Sequence, residues 1–379
     1  MDTRKGEINS LKSLIPSNKK RGDLFIPLTV FAISIFGLVM VYSSSKYFAT
    51  AQYGNEFFYL NKQIIGFVLG AVGFIVFSKI DYKKLEKLRV WLIVFSFILL
   101  ALVFTPLGVE NYGARRWLNL GIFTIQPSEI AKFAYIIFVS GYFNKNHNRT
   151  ERFMGVIPVI LIGVILAVLI MLEPNMSITV CVMGLMVCML FLSGVKIKYL
   201  LYLILPLVCL APVLIIAEPY RMKRLMAFLN PWASPKGEGY QLIQSLYALG
   251  SGGWFGVGLF NSRQKFKFLP FAESDFILSV IGEEFGFVGT SLLFLAFIFL
   301  LIRGMKASIR CNDYFGYMLG TGITVIFIIQ VCVNALVVMG SIPPTGLPFP
   351  LISAGNTSLI VYMSAFGLLY NVSKNKDTV

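Results

Sequence analysis

Leu269-Pro270-Phe271-Ala272-Glu273-Ser274-Asp275-Phe276-Ile277, running on into Gly282-Glu283-Glu284-Phe285-Gly286, is the stretch on which the reading of this chain turns. It closes the one long polar connection between apolar segments and opens a further apolar run, so Asp275 is expected where water meets lipid. Either Ser274 or Asp275 suits the N-cap of that helix. A helix N-terminus also favours an ionised carboxylate, the state a general base requires. At roughly 1.5 Å per residue, Glu283 and Glu284 would lie about 12 to 13 Å deeper, Glu283 about 80° around the axis from Asp275 and Glu284 nearly opposite it. Carboxylates at that depth are costly, so the helix is expected inside a bundle or beside a wet cavity. The two acids then serve a site or pair with a neighbouring helix.

The chain outside this stretch is apolar enough to need a membrane. Of 379 residues, 57% are hydrophobic and 13% charged, with a mean hydropathy of +0.76, more apolar side chain than a soluble core of this length hides. Runs of about 20 apolar residues recur and alternating strand patterns do not, which predicts an all-α polytopic membrane protein. The spans are expected near Leu24–Tyr42, Asn61–Phe77, Val90–Thr105, Pro127–Phe143, Met154–Leu172, Met176–Leu192, Tyr199–Ala217, Phe276–Ile302, Tyr314–Met339 and Gly346–Tyr370. Residues 1–23 and 371–379 read as polar tails, and residues 218–275 as a long connection between the seventh and eighth spans.

Charge orients these ten spans. With both termini cytoplasmic, 21 of the 33 Lys and Arg fall in inner segments and 11 in outer ones, Lys132 lying within a span. The positive-inside rule is then met by every inner loop. The net charge of +15 is thereby spread over short loops and does not form a nucleic-acid-binding face, so no nucleic acid partner is expected. Five cysteines without a Cys-x-x-Cys spacing and a single histidine, His147, offer neither a metal cluster nor a His-based triad. Catalysis is left to carboxylates.

Seven of the 11 outer cations sit in the 218–274 segment: Arg221, Lys223, Arg224, Lys236, Arg263, Lys265 and Lys267. Long loops cross membranes regardless of charge, but a cationic outer surface also suits a phosphate or diphosphate head group, and Arg115 and Arg116 add to it. In Gln126-Pro127-Ser128-Glu129-Ile130-Ala131-Lys132 the carboxylate and amine are three residues apart on one helix face. They form either an intrahelical pair or a polar entrance beneath Arg115, Arg116 and Trp117. The run Gly250-Ser251-Gly252-Gly253-Trp254-Phe255-Gly256-Val257-Gly258 lacks the Lys-Ser/Thr of a phosphate loop and is expected to let backbones pack closely. Pro343, Pro344, Pro348 and Pro350, with Gly340, Gly346 and Gly355, predict an irregular re-entrant segment.

Together these motifs resemble the SEDS family (shape, elongation, division and sporulation), the group of FtsW, RodA and SpoVE. The resemblance runs through Gly113-Ala114-Arg115-Arg116-Trp117, Gln126-Pro127-Ser128-Glu129 with Lys132, the Gln241-to-Gly258 stretch, Leu269 to Ile277, Glu283-Glu284-x-Gly286 and Thr345-Gly346-Leu347-Pro348. Ser262-Arg263-Gln264-Lys265-Phe266 is more similar to the division and sporulation members. The chain departs from the family pattern at Asn175, at Phe271 and at Ala354-Gly355-Asn356.

The resemblance implies a peptidoglycan glycosyltransferase that polymerises lipid II at the outer face of the cell membrane, at a division or sporulation septum. Its implied partners are a class B penicillin-binding protein and other divisome or sporulation proteins. Asp275 matches the family's aspartate, taken as general base. Arg115, Arg116, Trp117, Glu129, Lys132, Glu283, Glu284, Arg263 and Lys265 are the implied substrate-binding side chains. Mg2+ or Mn2+ on the diphosphate is the implied cofactor, with no organic one. Two other roles would use the same fold: a lipid II transporter, in which Glu283 and Glu284 would matter more than Asp275, and a non-catalytic scaffold.

Overall fold

The computed structural model describes residues 22–111, 114–119, 121, 124–266 and 268–375. Twelve α-helices stand among them. They are α1 (Phe25–Tyr53), α2 (Phe58–Lys79), α3 (Lys83–Leu102), α4 (Pro127–Lys145), α5 (Phe153–Leu172), α6 (Met176–Leu192), α7 (Ile197–Ile216), α8 (Pro219–Leu229), α9 (Tyr240–Gly252), α10 (Ile277–Ile309), α11 (Tyr314–Val338) and α12 (Asn356–Val372). Five of these, α1, α2, α5, α10 and α11, are long and apolar enough to cross a membrane, which makes the chain a multi-pass helical membrane protein. Most of α11 is buried, and α10, α4 and α12 pack around it, with α2 against α12. Residues 1–21 of the 1–23 tail, Gly113, Lys267 and residues 376–379 lie outside the described residues.

Three expectations are corrected. The fold is not purely helical, since β1 (Gly108–Asn111), β2 (Ala114–Asn119) and β3 (Thr124–Ile125) form an antiparallel sheet in the order β1-β2-β3. Strands this short leave too few residues for an alternating pattern to stand out. The last helix starts at Asn356 and not at Gly346, because residues 341–355 are held as irregular chain by side chains of the bundle. Neither Ser274 nor Asp275 caps α10. Phe276 occupies the cap position without a side-chain bond.

The 218–275 segment is folded. It contains α8, a short 3-10 turn and α9, followed by a loop that packs back against α10. There α10 is broken: Gly286 has φ 65 and ψ −164, a conformation confined almost entirely to glycine. Main-chain bonds fill the break, from Val257 N to Glu283 O (2.9 Å), Gly258 N to Glu284 O (3.0 Å), Phe287 N to Gly253 O (2.9 Å) and Val288 N to Trp254 O (3.0 Å). The glycine run lets backbones touch, as its composition predicts. A Cβ on Gly286 would lie 2.7 Å from Phe255 N and Trp254 C.

Candidate active site

Three adjacent main-chain carbonyls ahead of α10 are each pinned from outside. Ala354 N donates to Glu273 O (2.9 Å), Ser353 Oγ to Ser274 O (2.6 Å) and Asn334 Nδ2 to Asp275 O (2.8 Å). Phe271 (φ 56) and Leu351 (φ 66) on the two touching segments hold left-handed conformations that cost a bulky residue energy. Strain of this kind persists where the surroundings over-determine the backbone and gathers at functional sites. Gln63 holds the same segment, donating from Nε2 to Ser353 O (2.9 Å) and accepting from Gly355 N (3.3 Å). Gly346 leaves room for the carboxylate, since a Cβ there would stand 3.2 Å from Asp275 Oδ2.

Asp275 is partly buried and shares its surroundings with two guanidinium groups. Burial pushes its carboxyl up to about 6. The charges of Arg116 and Arg224 and a hydrogen bond from Ser274 oppose that rise. Arg116 is itself held by main chain: Nε donates to Glu173 O (3.3 Å) and Nη2 to Pro174 O. Its burial and the nearby Arg224 lower its affinity for its proton. Arg224 donates to Pro344 O (3.3 Å). Both arginines line a cavity of about 300 Å3 whose other walls include Val180, Leu225, Val333 and Ile342. Two guanidinium groups lining an apolar groove can bind an anionic head group and stabilise negative charge that develops there, and a carboxylate within reach of their charge can accept a proton.

Glu173 is the feature that residue patterns missed. It is fully buried and neither carboxyl oxygen has a hydrogen-bond partner, so burial raises its carboxyl to about 8, Arg116 working the other way. The signal in the sequence was slight, an acid directly before Pro174 at the end of an apolar run. From about pH 4.5 to about 8 the unfolded chain has released this proton and the folded chain keeps it, so stability falls as pH rises through that window and levels above it. Thermal unfolding in detergent across pH 5 to 8 should show a fall that Glu173→Gln flattens. An equal slope in both proteins would mean that Glu173 does not titrate in this way.

The other expected site residues divide. Arg115 pairs with Glu110 (3.3 Å) on the exposed part of the sheet, and strand alternation sends it and Trp117 to the face opposite Arg116. Glu129 and Lys132 form no entrance. Both are fully buried at 3.0 Å from each other, with Lys132 also 2.7 Å from Gln330 Oε1. Glu283 and Glu284 hold the loop. Glu283 accepts from Ser262 Oγ, Arg263 N (3.0 Å) and Gln264 N (3.3 Å). Glu284 accepts from Ser43 Oγ (2.6 Å) and Lys265 Nζ (2.9 Å). Lys265 is 3% exposed, so its charge is spent on Glu284 and does not face an outer ligand. Arg263 remains exposed. Asn175, one of the departures from the family pattern, caps α6 through its side chain.

The described geometry can be set beside known proteins. Residues 23–378 match the family model described as cell cycle protein, FtsW/RodA/SpoVE. Stage V sporulation protein E of Bacillus subtilis (strain 168) is 36% identical over 94% of this chain and 98% of its own length. A protein of Geobacter sp. (strain M18) named "Probable peptidoglycan glycosyltransferase FtsW" is 38% identical over 93% of this chain and 96% of its own. Among solved structures, a chain of a peptidoglycan synthase complex, described as coordinating polymerization and crosslinking, superposes with a TM-score of 0.78. It is 27% identical and covers 94% of this chain and 99% of that one. The rod shape determining protein RodA of Thermus thermophilus gives a TM-score of 0.70 at 25% identity, over 94% and 97%.

Proposed function

The chain belongs to the FtsW, RodA and SpoVE family of cell cycle proteins, and we propose that it acts as a peptidoglycan glycosyltransferase that polymerises lipid II. The observation that carries this reading is Asp275, whose main chain is pinned at the carbonyls of Glu273, Ser274 and Asp275 itself, and whose carboxylate feels the charges of Arg116 and Arg224, two arginines that line an apolar groove. Asp275 takes the proton of the acceptor sugar's 4-hydroxyl as that oxygen attacks the anomeric carbon of the donor. The bond to the undecaprenyl diphosphate breaks, and Arg116 and Arg224 stabilise the charge that gathers on it. A diphosphate leaves without protonation, so one carboxylate suffices.

On this reading the chain spans the cell membrane ten times with both termini cytoplasmic and Asp275 on the outer side, and it works at a division or sporulation septum with a class B penicillin-binding protein. The Lys and Arg distribution supports this orientation. A Mg2+ or Mn2+ would be carried on the diphosphate oxygens and would offset their charge beside Arg116 and Arg224. The transporter alternative loses support because Glu283 and Glu284, the intramembrane charges it would use, are occupied in holding the loop.

The test is polymerisation of purified lipid II by the detergent-solubilised protein with its partner, read as glycan strands on a gel. If Asp275 is the base, the rate rises with pH through about 6 and levels above it. Arg224→Gln removes a charge that favours the carboxylate, so it should move that limb to higher pH and raise KM. A limb that stays in place would remove Arg224 from the surroundings of the base.

A further inference from the structure

Gln330 and Asn334 lie one turn apart on α11 and so stand on the same face, at 0% and 1% exposure. Their amides take two consecutive carbonyls of the re-entrant segment. Asn334 Nδ2 donates to Leu347 O (2.6 Å) and Gln330 Nε2 to Pro348 O (3.0 Å). The second proton of Asn334 Nδ2 goes to Asp275 O (2.8 Å). The direction of the Gln330 amide is fixed, because its Oε1 accepts from both Lys132 Nζ (2.7 Å) and Tyr362 OH (2.6 Å), leaving only the NH2 for Pro348. Lys132 is fixed in turn by Glu129 (3.0 Å).

We infer that Lys132, Gln330 and Asn334 are positioning residues, a buried line of hydrogen bonds that sets where Asp275 stands relative to Arg116 and the groove. The inference rests on the glycosyltransferase reading and gives the buried pair a role in that reaction. All three are buried inside the bundle, at 1% exposure or less. They act through the 346–348 segment, whose Gly346 lies against the Asp275 carboxylate, and through the Asp275 carbonyl. A displacement of about 1 Å at a reacting group costs on the order of 10²-fold in rate, and a line of this kind guards against it.

The lipid II assay with partner, run on folded protein, tests this with Asn334→Leu, which matches the size and lacks both donors, and the smaller Asn334→Ala, which removes the donors without adding a charge. Gln330→Met, Lys132→Met and the double variant complete a cycle. The expected result is a kcat reduced roughly 10- to 100-fold with KM within about threefold and the acid limb still near pH 6, the double variant no slower than either single. Folded Asn334 variants within twofold of the parent, or additive losses in the cycle, would overturn the inference while the glycosyltransferase reading stood. Loss of strands in Asp275→Asn beside an active parent marks that reading as intact. A parent that makes no strands would sink both.

Discussion

Asp275→Asn should lower the rate of strand formation by roughly 10²- to 10⁴-fold, the usual contribution of a general base, with little change in thermal stability. The amide keeps the size of the side chain and leaves the bonds at Glu273 O, Ser274 O and Asp275 O in place. Burial already disfavours the charge that the substitution removes, so the fold has nothing large to lose. KM should change little, because on the proposed reading Arg116 and Arg224, not Asp275, hold the head group. Strand formation within threefold of the parent would show that another group takes the proton, and Glu273, two residues away and buried beside Asp275, would be examined next.

The largest structural effect is expected at Gly286. Gly286→Ala puts a side chain at φ 65 and ψ −164 and drives its Cβ into the backbone of Trp254, Phe255 and Gly256. The conformation alone costs on the order of 1 to 3 kcal/mol, and rigid backbone cannot retreat, so a total above about 3 kcal/mol is expected. The accumulated protein should drop sharply, and what remains should be cleaved by protease in the 253–265 loop. Because this loop is also fastened through Glu283 and Glu284, Glu284→Leu should loosen it too, leaving the Lys265 ammonium buried without a carboxylate. A Gly286→Ala protein with parental melting temperature and protease pattern would mean that α10 can close its break.

Glu283 and Glu284 illustrate how far residue patterns reach. Their cost in lipid announced that they needed partners, and they have them. The partners, however, are main-chain groups of Ser262, Arg263 and Gln264 and the side chains of Ser43 and Lys265, from 19 to 241 positions away in the chain. Periodicity carries no information at that separation. Lys265 read as a cation for an outer ligand for the same reason, since the sequence shows a charge and not what neutralises it.

The order of apolar runs, the distribution of Lys and Arg and the motif around Asp275 were enough by themselves to determine a helical membrane protein with a carboxylate at its site. Hydrophobic length and charge act locally and are written along the chain. Tertiary structure alone decided that α10 breaks at Gly286, that Glu129 and Lys132 are sealed within the bundle, and that Asn334, Ser353 and Ala354 fix the main chain beneath Asp275. These depend on which buried donor meets which carbonyl once the helices pack, and buried polar groups must find such partners wherever the fold brings them.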